Sequence, residues 1–430
     1  MRLSKRNKRN TWTKQNFENR KAGIGQEWII AMAFVGVVVG AGLSSGQDIL
    51  QYFLSFGLWG FAGILAMGAL MAFFGKIVLS FGSYYRAQNH QHVLSKISTP
   101  LLSKAIDGVL IVTGFVIGFV MLAGAGSNLQ QEFGLPSWLG ALICTLLVIG
   151  AAFLNSEKIT ALLGIFTPIV IVLLAVITGW SLFNGFFDLA ALDASAKTIA
   201  APVDNLWLST LNYFSMCLTS GLSMAIVLGG SSMKISTAEK GGRIGGFVVG
   251  LIMMLAFISL FLNINTVKDS SIPMLKIADQ ISPVFALVYT LTIFALIFNT
   301  AFSLFYSLAK RFGRGDEKKT RIMMVILCLA GYGCSFGGFS EMIGLLYPLV
   351  GWMGLVILGV LLVGWMKEKK NIQSEKKTRR SLLHLAGKWK DNQKSFSQKE
   401  RQAFDRLCRQ SSVNSRRIRQ DVLEEVLQTS

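Results

Sequence analysis

The chain has 430 residues, of which 52% are hydrophobic and only 15% are charged, and its mean hydropathy is +0.52. Soluble domains carry roughly 25% charged residues, so this composition excludes an ordinary soluble protein. The five scattered cysteines and three histidines have no metal-ligand or disulfide spacing, and the sequence predicts no metal site and no enzyme active site.

Apolar segments recur along the first 366 residues, and most approach the roughly 20 residues that a helix needs to cross a bilayer. We predict an all-α polytopic membrane protein with ten transmembrane helices. The predicted spans are 28–56, 58–81, 105–129, 138–155, 159–183, 207–230, 245–265, 283–309, 322–339 and 343–366.

The positive charges predict the orientation of these spans. If the N-terminus is cytoplasmic, 39 of the 42 lysines and arginines lie in cytoplasmic segments, as the positive-inside rule requires. We therefore predict a multi-pass protein of the bacterial cytoplasmic (inner) membrane with both termini cytoplasmic. The chain divides into a basic segment 1–27, a membrane domain 28–366 and a basic tail 367–430.

The first span contains an unusual run, GAGLSSGQD, that begins at Gly40. It holds three glycines within seven residues, and each glycine costs a helix about 1 kcal/mol relative to alanine. Ser45 and Asp48 also have the spacing of a capping box that starts a new helix. The run predicts a helix that ends near Gly40 and a second that starts near Ser45, so that two half-helix ends form an ion or substrate site.

The sixth span shows a weaker version of the same pattern. Thr219, Ser220, Gly221 and Ser223 interrupt it, and Thr219 follows Trp207 by 12 residues, as Gly40 follows Trp28. Interrupted spans at matching positions in two halves indicate the central site of a transporter. Since the two sets have five spans each, the second set would be inverted relative to the first. We therefore predict discontinuous helices one and six in a five-plus-five inverted repeat.

The stretch AFVGVVVGAGLSSGQDILQYFLSFGLWG, residues 33–60, resembles the opening span of the YkvI-type bacterial membrane proteins. Those proteins typically show a Gly-Ala-Gly-Phe-Ala-Ser-Gly-Gln-Glu-like run, and this chain has Leu43, Ser44 and Asp48 in place of Phe, Ala and Glu. The resemblance covers 28–366. It implies a relation to the amino acid–polyamine–cation superfamily, and hence the leucine-transporter fold of a secondary transporter, but no particular substrate.

In proteins of that fold, hydroxyl groups of the eighth span help the broken first span to hold sodium. The resemblance therefore implies coupling-ion ligands at Asn299, Thr300 and Ser303. Asp48 is either a helix cap or a direct contact of the ion or solute. The predicted substrate-binding residues are Gly40, Ala41, Gly42, Ser44 and Ser45 of the first span and Thr219, Ser220, Gly221 and Ser223 of the sixth. Further residues that could face the cavity are Tyr213, Tyr332, Gly333 and Ser335.

The predicted function is secondary active transport of a small organic solute, such as an amino acid, coupled to sodium or protons and without another cofactor. The alternative is a transporter-like sensor or scaffold that signals through its basic tail. The simplest interpretation of the tail is a solvated, partly disordered segment attracted to anionic lipid headgroups. The expected partners are the solute and the lipid bilayer, and no nucleic acid is expected.

Overall fold

The structure is a computed structural model that describes residues 25–39, 41–153, 166–184, 187–314, 316–391 and 397–428. Within these ranges the chain forms helices and connecting turns, without any β-strand. The first predicted span is divided into α1 (Gln26–Val38), α2 (Ala41–Ser45) and α3 (Gln47–Tyr52), and a 3₁₀ helix (Leu54–Trp59) follows.

The later helices begin and end where local chemistry predicts. Proline occupies the first position of α6 and α14, and the side chains of Thr99 and Ser282 cap their free N–H groups. The remaining helices are α4 (Gly60–Tyr85), α5 (His90–Ile97), α6 (Pro100–Phe133), α7 (Ser137–Ala151), α8 (Phe166–Asn184), α9 (Leu189–Ala196), α10 (Leu206–Ser231), α11 (Ile235–Leu262), α12 (Ile264–Val267), α13 (Pro273–Ile281), α14 (Pro283–Gly313), α15 (Glu317–Cys334), α16 (Phe339–Asp391), α17 (Gln398–Gln410) and α18 (Ser415–Gln428).

Helix length and composition support a multi-pass membrane protein. In the described ranges, seven helices are long and apolar enough to cross a membrane. Three shorter apolar helices, Gln26–Val38, Ser137–Ala151 and Pro168–Asn184, coincide with predicted spans one, four and five. The all-helical, multi-pass prediction is confirmed, whereas the count of ten spans and the inverted repeat stay predictions. Span five begins outside the described residues.

The predicted break in the sixth span is wrong, because α10 runs without interruption from Leu206 to Ser231. The Ser220 hydroxyl donates to the Cys217 carbonyl oxygen at 2.8 Å, so this polar side chain bonds to its own helix. The stretch 219–223 contains one glycine, and a single glycine costs a helix only about 1 kcal/mol. Helix six is therefore continuous.

The helix α1 lies against α11 and α10 at positions where glycines leave room for it. A Cβ added to Gly245 of α11 would lie 2.8 Å from the Ala31 carbonyl oxygen, and one added to Gly221 of α10 would lie 2.9 Å from Val37 Cγ1. Small residues allow helices to approach closely in membranes, where van der Waals packing drives association. This packing fixes the broken segment beside α10.

The expectation of a solvated tail is wrong for 367–391 and 397–428. The helix α16 crosses the predicted domain boundary at 366 without a break. Together, α16, α17 and α18 enclose a second hydrophobic core, separate from the core of the membrane domain. Its buried members are Met233, Leu382, Ala386, Phe404, Cys408, Val413, Ile418 and Val422.

Candidate functional site in the broken first helix

The break in the first span has a defined geometry on the α3 side. Gly46 lies between α2 and α3 with φ at +83°, a conformation that residues with a Cβ rarely adopt. The Ser45 hydroxyl donates to the Gly42 carbonyl oxygen at 2.7 Å and accepts from the Gln47 N–H at 3.2 Å. Two backbone groups released by the break are therefore satisfied by one side chain. Gly40 lies outside the described residues.

The predicted capping box is only half correct. Ser45 does accept from a first-turn N–H of α3, but Gly46 occupies the N-cap position. Asp48 does not return to the backbone of Ser45. Its Oδ2 instead accepts from the Tyr213 hydroxyl of α10 at 2.9 Å, so the carboxylate joins the first span to the sixth. The alternative of Asp48 as a simple helix cap is wrong.

Asp48 is a buried carboxylate, only 3% exposed. Within the described ranges its Oδ1 accepts no hydrogen bond, and no lysine, arginine or histidine forms an ion pair with this residue. Burial of an unpaired ionised carboxylate is strongly unfavourable. The group therefore requires a proton or an external cation.

Gly42 provides the space that the Asp48 carboxylate occupies. A Cβ added to Gly42 would lie 2.5 Å from Asp48 Oδ2 and 3.0 Å from Oδ1. Real Cβ atoms do not approach oxygen this closely, so any larger residue would displace the carboxylate from Tyr213. Gly42 is therefore needed for the close approach of the Asp48 carboxylate to the backbone, independently of its effect on the helix.

More buried acceptor atoms lie on α3 near Asp48. Gln47 Oε1, Gln51 Oε1 and the Tyr52 hydroxyl are buried without a hydrogen-bond partner in the described part of the chain. Asp48, Gln51 and Tyr52 share one face of the helix, because their spacing is i, i+3 and i+4. The Tyr52 and Tyr213 rings lie 4.9 Å apart between centroids. Since most of these atoms are oxygen acceptors, the region suits a ligand that donates hydrogen bonds or carries positive charge.

The eighth span, α14, touches the break through Tyr289, whose hydroxyl donates to the Ser44 carbonyl oxygen at 2.8 Å. The predicted ion ligands lie at least ten residues further along. The Thr300 hydroxyl donates to the Leu296 carbonyl oxygen of its own helix, and Asn299 Oδ1 is buried without a partner among the described residues. No hydrogen bond in the described ranges joins Asn299, Thr300 or Ser303 to the broken segment.

The predicted residues of α10 point in several directions. Gly221 faces Val37 of α1, whereas Thr219 faces α16, where a Cβ on Gly354 would lie 2.5 Å from its hydroxyl oxygen. Ser220 and Ser223 are partly exposed, and no described hydrogen bond joins them to the break. The structure thus brings Gly42, Ser44, Ser45 and Asp48 together with Tyr213, but not with the predicted hydroxyl groups of Thr219, Ser220 and Ser223. Ala41 begins α2 beside them.

Two tyrosines of the site, Tyr52 and Tyr289, were not predicted. Tyr52 had a usable signal, because a residue four positions after a buried carboxylate lies on the same helix face. Tyr289 had none, since its contact with Ser44 depends on how far α14 is shifted along the first span. Among the described residues, no three His, Cys, Asp or Glu side chains are grouped so as to hold a metal ion.

Comparison with known proteins agrees with this architecture. No protein-family model matches the sequence. The chain is 25% identical over 337 residues to the uncharacterized membrane protein YkvI of Bacillus subtilis (strain 168), covering 77% of this chain and 94% of that protein. It is 22% identical over 339 residues to the uncharacterized protein YyaD of the same organism, covering 79% and 96%.

A solved structure shows the same fold. The crystal structure of MhsT in complex with L-phenylalanine superimposes with a TM-score of 0.58 at 15% identity, covering 93% of this chain and 96% of MhsT. MhsT has the leucine-transporter fold. The chain is therefore homologous to the YkvI and YyaD membrane proteins, and its fold is that of the leucine-transporter type.

Proposed function

We propose that this protein is a secondary active transporter that moves a small organic solute, an amino acid or a related compound, by alternating access. The leucine-transporter fold supports a transporter. The solute class rests on MhsT, a protein of the same fold whose crystal structure holds L-phenylalanine. Sodium or protons would supply the driving force.

The observation that carries this proposal is the broken first helix beside the unpaired carboxylate of Asp48. Backbone groups freed inside a membrane must be satisfied by protein, by water or by a ligand. The buried carboxylate of Asp48 requires a positive charge. The ammonium group of a solute fits this demand, and so does a sodium ion or a proton that binds together with a solute anion.

The test is solute binding by purified protein. A set of amino acids and related compounds is screened for an increase in melting temperature, with and without sodium. A true ligand should stabilise the parent protein, because a ligand that binds only the folded state raises its stability. If no compound in the set does so under either condition, the amino-acid assignment is wrong.

A matched pair of alanine variants locates the binding site. Gly42→Ala places a methyl group 2.5 Å from Asp48 Oδ2 and should abolish binding. Gly150→Ala on α7 meets no atom within 4 Å and should bind as the parent does. Equal binding by both folded variants would place the solute site elsewhere.

The proposed orientation has cytoplasmic termini and a basic cytoplasmic face in a bacterial inner membrane. An impermeant thiol reagent applied to whole cells should label Ala194→Cys on α9 and should not label Glu317→Cys on α15, where both positions have exposed or part-exposed side chains. A Cys334→Ser background removes the exposed native thiol. Labelling of Glu317→Cys without labelling of Ala194→Cys would mean that the orientation is the reverse of the proposed one.

The second candidate function is a transporter-like sensor or scaffold that signals through its tail. The packing of α17 and α18 against the membrane domain favours it, because a folded module can present a surface to a partner or to anionic lipid headgroups. Solute uptake by proteoliposomes separates the two functions. A sensor would bind solute without moving it, whereas a transporter would accumulate it along the ion gradient.

A further inference from the structure

The end of α16 beyond residue 366 packs with α17 and α18 around the second hydrophobic core, and we call these helices the C-terminal unit. Trp389 of α16 and Phe404 of α17 meet edge to face, with ring centroids 6.0 Å apart, and Phe404 is fully buried. Ser397 and Glu400 form a complete capping box at the start of α17. Met233, from the turn between α10 and α11, belongs to the same hydrophobic core, so the unit is built partly from the membrane domain.

A buried arginine joins this unit to the membrane domain. Arg379 of α16 is 1% exposed, and its guanidinium donates to the carbonyl oxygens of Ser83 at 2.9 Å, Tyr84 at 2.7 Å and Met233 at 3.3 Å. Ser83 and Tyr84 are in the last turn of α4, where carbonyl groups lack helical partners and attract positive charge. One side chain thus ties α16 to the ends of two other helices.

Two further links attach the helices beyond α16. Glu375, also buried, accepts from Arg379 Nε at 2.8 Å, from the Ser411 hydroxyl at 2.6 Å and from the Ser412 N–H at 2.9 Å. It therefore joins α16 to the end of α17. Asp421 of α18 forms an ion pair of 2.9 Å with Arg86, which follows α4.

Two of the helices held by these contacts, α4 and α10, also touch α1. A Cβ on Gly75 of α4 would lie 2.9 Å from the Phe34 ring, and Gly221 of α10 faces Val37. The basic face is the side of the membrane domain that carries the lysine-rich and arginine-rich segments. If α1 separated from α4 and α10 on this side, a path toward the break in the first span would open. Such movement would pull the end of α4 away from Arg379, and Arg86 away from Asp421.

We propose that the C-terminal unit is an autoinhibitory clamp. While Arg379 and Asp421 are bound, the clamp holds α4, α10 and α16 together and keeps the basic face of the membrane domain closed. Release of the clamp lets α1 separate from α10 and increases access to the broken helix. The clamp thereby sets the rate of opening on that face, whichever solute the protein carries.

The test measures access to the α1–α10 contact in purified full-length protein. Val37→Cys, in a Cys334→Ser background, is the reporter, and the rate of thiol labelling at residue 37 is followed by peptide mass. Releasing the clamp with Arg379→Gln should increase this rate at least fivefold. Arg380→Gln, the neighbouring exposed arginine, is the matched control and should stay within twofold of the parent.

Asp421→Asn weakens the second link without removing a buried arginine, and it should increase labelling in the same direction but by less. If Arg379→Gln is not monodisperse on gel filtration, the test of the clamp rests on Asp421→Asn alone. The proposal is overturned if the folded variants label no faster than the parent, or if Arg380→Gln accelerates labelling as much as they do. Because the reporter needs no solute, this result is independent of whether transport is found.

Discussion

Both the first span and α10 place glycine and hydroxyl residues about 12 residues into an apolar segment, yet only the first span is broken. The first span has three glycines within seven residues, and its chain reverses helical sense at Gly46. In α10 the stretch 219–223 has a single glycine, Gly221, among hydroxyl side chains. One of these, Ser220, bonds to a carbonyl oxygen of its own helix.

The difference shows that hydroxyl groups alone do not break a membrane helix. A serine or threonine can satisfy itself within the helix, so it adds no unsatisfied group when the helix continues. A cluster of glycines lowers the helix propensity of a segment and allows one residue to adopt a left-handed conformation. The backbone groups that this releases need new hydrogen-bond partners. Ser45 and Tyr289 supply such partners in the first span, through the Gly42 and Ser44 carbonyl oxygens.

The largest predicted effect is at Gly46. Gly46→Ala forces a residue with a Cβ into a φ of +83° and places that Cβ 2.7 Å from Met274 Cγ. Strain and overpacking together should destabilise the protein by on the order of 3 kcal/mol. Thermal melting should show a fall of several degrees.

Gly221→Ala in α10 is the comparison for that experiment. Its Cβ would lie 2.9 Å from a Val37 methyl group, and a small shift of this side chain relieves the contact. The gain in helix propensity of about 1 kcal/mol offsets part of the crowding. We expect little change in melting temperature, and an equal fall for both variants would contradict the distinction between the two spans.

A smaller effect is predicted where the two spans meet. Tyr213→Phe removes the donor to Asp48 Oδ2, which is the hydrogen bond that the described residues give to this carboxylate. A hydrogen bond to a charged group contributes about 2 kcal/mol, and one to a neutral amide about 1 kcal/mol. Tyr213→Phe should therefore lower the melting temperature about twice as much in the parent as in Asp48→Asn.

That double-mutant comparison also reports the charge of Asp48. If Tyr213→Phe has the same effect in both backgrounds, the carboxyl group is neutral in the folded protein. The positive charge would then be a bound proton, and sodium or an ammonium group would not be needed at this position. Measurement with and without added sodium separates these cases.

The smallest predicted difference is between two serines. Ser45→Ala loses hydrogen bonds to Gly42 and Gln47 across the break, which should cost about 1–2 kcal/mol. Ser220→Ala loses only a bond within α10 and gains helix propensity, so its stability should change by less than about 0.5 kcal/mol. Melting temperatures of the two variants measured side by side provide the check, and a larger fall for Ser220→Ala would reverse the interpretation.

The sequence predicted features that depend on composition and local spacing. Apolar length identified a multi-pass helical protein, and glycine density located the break in the first span. The bond from the Gln47 N–H to the Ser45 hydroxyl followed from local spacing, although Gly46 rather than Ser45 is the N-cap. The matching offset of 12 residues predicted a break in α10 as well, and this prediction was wrong because the offset contains no information on backbone strain.

Contacts between distant helices were not predictable. Tyr289 rather than Asn299 touches the first span because the shift between α14 and α2 is set by packing along both helices. The docked tail was missed for a similar reason. Its basic composition suggested a solvated segment, whereas one arginine, Arg379, finds helix-end carbonyl groups that no local pattern reveals.

The unbroken path of α16 has a mechanical consequence. Arg379 lies 13 residues beyond Met366, which corresponds to about 20 Å along the helix. A rigid rod of that length acts as a lever, so a tilt of about 10° in the membrane would move the guanidinium by about 3 Å, roughly the length of one hydrogen bond. A fluorescent or spin label on Lys399 of α17 would therefore report small rotations of the last membrane helix from the aqueous phase.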